Sequence, residues 1–195
     1  MTVIYIREAK ARGYLRIGLS DEEKIEYTVS EADYRDADSP AVGDYLTRDA
    51  LSLLKNADMR YKARMRALRI LSLGDNSEKM LMLKLMRAGA SRDIASEVTE
   101  EMVKLGYVNS QRQLERLIIY EVNEKLHGPR KLLPRLIAKG YSRDEVARVM
   151  NDLALDGEID FEAAKMRLIE KHRLDIESDE EEIKKLLYKN GYSVC

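Results

Sequence analysis

Three stretches of this chain can be laid over one another without a gap: "LMLKLMRAGASRD" (81–93), "LLPRLIAKGYSRD" (132–144) and "IKKLLYKNGYSV" (183–194). Gly89, Gly140 and Gly191 fall 51 residues apart, and so do Ser91, Ser142 and Ser193. Apolar positions keep the same register: Leu81, Leu132 and Ile183; Leu85, Leu136 and Leu187; Val98 and Val149; Met102 and Leu153. Tandem supersecondary units produce such a period, because each unit is too small to bury its own apolar face and must stack on the next.

Each unit reads as three helices. In the second, Asn109 or Ser110 can cap a helix that places Leu114, Leu117, Ile118 and Val122 on one face. The next helix starts with Pro129, whose missing N–H costs nothing in a first turn, and stops at Gly140, a residue suited to a left-handed C' position. Pro134 lies inside it, where loss of a donor costs about 3 kcal/mol, so a kink or a distorted first turn is expected. Ser142 with Glu145 forms a capping box for the third helix, which buries Val146, Val149, Met150 and Leu153 and ends at Gly157. The third unit offers a helix over about 160–172 and another over about 178–190; the chain stops at "GYSVC", where a further helix should begin. That second helix should therefore lack its usual cover.

Residues 1–58 differ in texture. "GYLRIGLS" and "KIEYTVS" alternate around "DEE", the pattern of a short hairpin, "RDADSPAVGD" reads as a loop, and "TRDALSLLKNA" is helical with Thr47 as its cap. The expected fold is mainly α: tandem three-helix repeats behind a small α+β lead-in. Its divisions are 1–58 (lead-in), 59–108 and 109–157 (complete repeats) and 158–195 (an incomplete repeat of two helices).

No stretch approaches eighteen consecutive apolar residues, and "MTVIYIREAKARG" lacks the order of a secretory signal. The single cysteine, Cys195, leaves no internal disulfide. These features fit a cytoplasmic protein that neither spans a membrane nor is exported. The chain is free of phosphate loops, dinucleotide fingerprints and nucleophile elbows, and His127 and His172 have no second ligand at metal spacing. No enzyme, cofactor or metal site is expected.

The net charge of −1 conceals an asymmetry: −4 over residues 1–59, +4 over 60–108, +2 over 109–157 and −3 over 158–195. Two segments carry the middle. "RYKARMRALR" holds Arg60, Lys62, Arg64, Arg66 and Arg69 without an acid, with Lys62, Arg66 and Arg69 on one helical face. Around "HGPRKLLPRLIAKGYSRDEV" lie Lys125, Arg130, Lys131, Arg135, Lys139 and Arg143, with Lys131, Arg135 and Lys139 four apart. A stripe of unpaired cations is self-repelling and fits an external polyanion such as a phosphate backbone; the competing reading is a solubilising surface. Tyr141 and Tyr192 follow helix-ending glycines at equivalent sites, which favours packing over base stacking.

From about Arg60 to His172 the chain resembles the RecX regulatory proteins of bacterial recombination. The resemblance rests on a helix ending in Arg-Ala-Gly (87–89), one ending in Leu-Gly-Tyr (105–107), then Gly128-Pro129-Arg130 and Ala-Lys-Gly (138–140). "GYVNSQRQL" departs from the acidic pair and aromatic usual after Leu-Gly-Tyr, whereas "GEIDFEAA" keeps Asp160 and Phe161. The resemblance implies three-helix repeats in a curved, elongated arrangement and a monomeric, non-enzymatic modulator in DNA repair and the SOS response. Such a protein binds the RecA recombinase filament on single-stranded DNA, with duplex DNA as a further partner, and restrains its ATPase and strand exchange. It also implies that the cations beside Gly128 and Pro129 face a phosphate-rich groove. Two rivals stand beside it: a helix-turn-helix-like reader of duplex DNA and a protein-only repeat scaffold.

Overall fold

A computed structural model describes residues 1–20, 25–175, 177 and 179–193. Among them are three strands and nine helices: β1 (Val3–Glu8), β2 (Tyr14–Leu19), β3 (Glu26–Ser30), α1 (Glu31–Asp36), α2 (Arg48–Ser72), α3 (Glu78–Arg87), α4 (Arg92–Lys104), α5 (Ser110–Asn123), α6 (Pro129–Ala138), α7 (Arg143–Leu155), α8 (Phe161–Lys171) and α9 (Glu180–Asn190). The expected "DEE" turn, Ser178 and the final Val194 and Cys195 lie outside the described residues. The chain divides into two compact units, one of Met1–Leu73 with Met82–Met102, the other of Gly74–Leu81 with Val103–Cys195.

In the first unit the strands form an antiparallel sheet in the order β1-β2-β3. The expected hairpin is β2–β3, pairing Leu15 with Val29 and Ile17 with Tyr27. β1 enlarges it to three strands, which the hairpin reading had not included. A register shift between Val3 and Tyr5 breaks its alternation, so that Val3 and Ile6, three residues apart, both meet the same core. Ile17, Leu19 and Val29 pack with Leu54 and Ala57 of α2. Thr47 caps α2 by accepting from the Ala50 amide, and 25 helical residues then run unbroken through positions 58 and 59, with no Gly or Pro to stop them.

In the second unit a single core runs from Leu114 to Tyr192 through α5, α6, α7, α8 and α9. Leu114, Ile118, Leu132, Leu136 and Val146 are fully shielded or nearly so, each contributing about 1.5–3 kcal/mol of burial. Asn109 caps α5, Ser142 and Glu145 close the capping box on α7, and Asp160 caps α8. Pro134 sits inside an unbroken α6, and the adjustment falls in the first turn, where Lys131 and Leu132 both donate to Gly128 O at 3.1 Å. α9 is not left bare: Ile183 and Leu187 are buried in the shared core, while Tyr188 on its other side is exposed.

The repeat register reappears as a repeated junction. Ser77, just before α3, donates its hydroxyl to Lys139 O at 2.7 Å, at the end of α6. Gly128, 51 residues on and just before α6, donates its amide to Asn190 O at 2.8 Å, at the end of α9. Arg130 N adds a bond to Gly191 O at 3.1 Å. Both receiving glycines are left-handed, Gly140 at φ 97° and Gly191 at φ 85°. A Cβ on Gly191 would lie 2.4 Å from Lys131 Cβ, and one on Gly128 would lie 2.5 Å from Gly191 O, so the two backbones touch where no side chain fits.

Candidate nucleic-acid interface

Folding brings acids to most of the first basic segment. Arg60 pairs with Asp33 of α1, and its Nε lies 3.9 Å from Glu97 of α4. Lys62 lies 2.6 Å from Asp58, a buried carboxylate that also accepts from the Thr28 amide on the edge strand β3. Arg64 lies 3.0 Å from Glu101 and donates to Tyr14 Oη at 2.6 Å. The expected stripe of unpaired cations is thereby corrected: Arg60, Lys62 and Arg64 are neutralised by carboxylates distant in sequence or one turn away on the same helix.

Arg66 and Arg69 are different. Both are exposed, and neither has an acid within ion-pair distance among the described residues. They line an open cavity of about 430 Å³ with Ile70 and Leu73 of the same helix region and Lys84 and Arg87 of α3. Arg66, Arg69 and Arg87 are exposed around one opening and form a local positive field that an anion would relieve. Lys84 and Arg87 were not singled out from the sequence. Their spacing on "LKLMR" shows only that they share a helix; that this helix faces Arg66 and Arg69 is a tertiary fact.

The second segment lies in the other unit and is used differently. Arg135 donates through Nε and Nη2 to Glu121 Oε1, at 3.3 and 3.0 Å, and His127 Nδ1 lies 2.6 Å from the other oxygen. Glu121 is only 5% exposed. Burial alone would raise its pKa, but the hydrogen bonds and charges of His127 and Arg135 outweigh it and hold the carboxyl below its usual range. An ionised carboxylate accepts only, so Nδ1 carries the hydrogen. Lys131 reaches Asn190 Oδ1 at 3.2 Å, and burial, followed by the charges of Arg135 and Lys189, depresses its pKa. Lys125 sits 5.2 Å from the centre of the Tyr120 ring. Arg130, Lys139 and Arg143 are exposed and have no acid partner among the described residues. Arg143 borders a largely apolar cavity of about 390 Å³ with Leu133, Met150 and Phe161. The stripe of Lys131, Arg135 and Lys139, spaced four apart, thus breaks into a junction residue, a buried-acid partner and one cation without an acid partner among the described residues.

Tyr141 and Tyr192 are both 4% exposed, and burial pushes each phenol up to about 12. Tyr107, Tyr120 and Tyr188 are the exposed rings among the repeats. Among the described residues no group of three or more His, Cys, Asp or Glu is arranged to hold a metal ion, and no helix is long and apolar enough to cross a membrane.

No protein-family model matches the chain. It is 27% identical over 114 residues to regulatory protein RecX of Listeria innocua, a match covering 58% of this chain and 42% of that protein. It is 25% identical over 118 residues to regulatory protein RecX of Listeria monocytogenes, covering 60% and 44%. The matched region spans less than half the length of these curated relatives. Among solved structures, one of regulatory protein RecX superposes with a TM-score of 0.69 at 18% identity over 98% of this chain and 94% of that one. RecX from Lactobacillus salivarius gives 0.58 at 20% identity over 70% and 90%. The chain is therefore similar over part of its length to proteins named regulatory protein RecX, and it shares its fold with solved RecX structures.

Proposed function

We propose that the chain is a non-enzymatic regulator of recombination that binds RecA on single-stranded DNA and restrains its ATPase and strand exchange, acting in the cytoplasm. What supports the reading is the kinship with proteins named as RecX regulators together with the cavity ringed by Arg66, Arg69, Lys84 and Arg87. The proposed contact set keeps both basic segments but ranks them. Arg66 and Arg69 carry most of the affinity, Arg130, Lys139 and Arg143 add to it, and Arg60, Lys62, Arg64, Arg135 and Lys131 act mainly through the folded state.

The test is RecA ATPase on single-stranded DNA with increasing amounts of this protein. Inhibition near stoichiometric levels, lost in the Arg66→Glu/Arg69→Glu variant, is the expected result; undiminished ATPase with the intact protein sinks the reading. The protein-only scaffold is the second reading, favoured by the number of cations already bound to the chain's own acids. It predicts no salt-dependent affinity for RecA filaments or DNA.

A further inference from the structure

The two junctions at Gly140 and Gly191 belong to a series. The start of α3 sits on the end of α6, and the start of α6 sits on the end of α9, at positions 51 residues apart. Two members of that series are outside such a junction among the described residues: the end of α3 at Gly89, and the start of α9 at Asp179. Gly89 has the same backbone as Gly140, φ 97°, yet a Cβ there would meet nothing within 4 Å. Beside it opens a cavity of about 340 Å³, walled by Met59, Lys62, Ala63 and Arg66 of α2, by Leu85 of α3 and by Ala88 just past its end.

We propose that this cavity receives the first turn of α9 from a second copy of the chain, so that copies join head to tail. Register gives the first argument. Glu182 is the counterpart of Lys131, the side chain that lies against Gly191, and Glu181 is the counterpart of Arg130, whose amide donates to Gly191 O. Asp179 stands where the other two junctions have Ser77 and Gly128, so the joint follows the Ser77 junction, which holds a side chain, and not the glycine contact at Gly191. The Asp179 amide is already given to Asp175 O.

Charge gives the second argument. The mouth of the cavity carries Lys62 and Arg66, and the first turn of α9 carries Glu180, Glu181 and Glu182. Glu180 is held by Lys184 at 2.5 Å, while Glu182 is exposed and has no ion pair among the described residues. Lys62 is two-thirds exposed, so its Nζ can turn from Asp58 toward an arriving carboxylate. A joint made from two different patches can pass from copy to copy into a chain or ring, or be made twice within a two-fold pair. The monomer expected from the sequence is then the dilute state.

The experiment is sedimentation equilibrium on nuclease-treated protein, without RecA or DNA, so its outcome is independent of the regulatory reading. The weight-average mass should climb with concentration above that of one chain and fall back with added salt. Arg66→Glu and Glu181→Lys/Glu182→Lys should each weaken association at least about tenfold with unchanged thermal midpoints, since these three side chains are exposed. An equimolar mixture of the two variants, whose reversed charges again complement, should associate as the parent does. A parent that stays monomeric, or a mixture that stays monomeric, overturns the proposal.

Discussion

The basic stretch of α2 and the basic stretch around α6 look alike on paper, and the fold treats them differently. In α2 the cations nearer its N-terminus are tied to Asp33, Asp58 and Glu101, whereas Arg66 and Arg69 remain as half of a four-cation opening. Around α6 the cations serve the joint and the core: Arg135 and His127 neutralise a buried Glu121, and Lys131 lies along Gly191. The density of Lys and Arg along a sequence therefore does not measure positive surface. What decides is whether carboxylates from other elements arrive at the same place.

Substitutions can sharpen or break that contrast, and the largest effect belongs to the joint. Gly191→Ala adds a Cβ that would sit 2.4 Å from Lys131 at a left-handed residue, and should cost about 3 kcal/mol in denaturant unfolding. A loss under about 1 kcal/mol would mean that the α6 segment is not held by α9. Next comes Glu121→Ala, expected to cost about 2–3 kcal/mol because it strands the His127 and Arg135 donors, the figure being moderated by the half-exposed guanidinium. Because the folded carboxyl titrates below its usual 4.5, its contribution is fully present above that pH and is lost as pH falls through the lower folded value. Parent and variant should converge in stability there, which acid titrations followed by circular dichroism would show.

Smaller effects should separate function from folding. Arg66→Glu/Arg69→Glu should weaken filament binding at least about tenfold, near 1.4 kcal/mol, and leave the thermal midpoint unchanged; Arg135→Glu should do the reverse. Equal effects of the two on binding would erase the contrast drawn between the segments. For Tyr141 and Tyr192 the folded phenol is raised from 10 to about 12, so the native state keeps protons that the unfolded chain releases. Stability is then intact below pH 10 and falls between 10 and 12, and Tyr141→Phe/Tyr192→Phe should flatten that fall in alkaline melts. Gly89→Ala closes the series at about 1 kcal/mol, since only backbone strain opposes it.

The helical elements were legible because their signals are local. Asn109, Ser142 with Glu145, Asp160 and Pro129 sit within one turn of the amides they serve or excuse, so spacing alone located four helix starts. β1 was missed because the shift at Val3/Tyr5 disrupts the alternation by which a strand is recognised. The candidate site was only half legible. Arg66 and Arg69 stand out as cations on one face, but Lys84 and Arg87 enter through helix packing, and the acids that remove Arg60, Arg64 and Arg135 lie 14 to 37 residues away. The answer to why Gly128 precedes Pro129 also came from outside the segment, in the carbonyl of Gly191.

The sequence by itself determined the period, the caps and the left-handed stops, because each depends on contacts within about one helical turn or on a register that recurs along the chain. Only the tertiary structure decided which cations stay free, since an ion pair forms by proximity in space and its partners carry no mark in sequence.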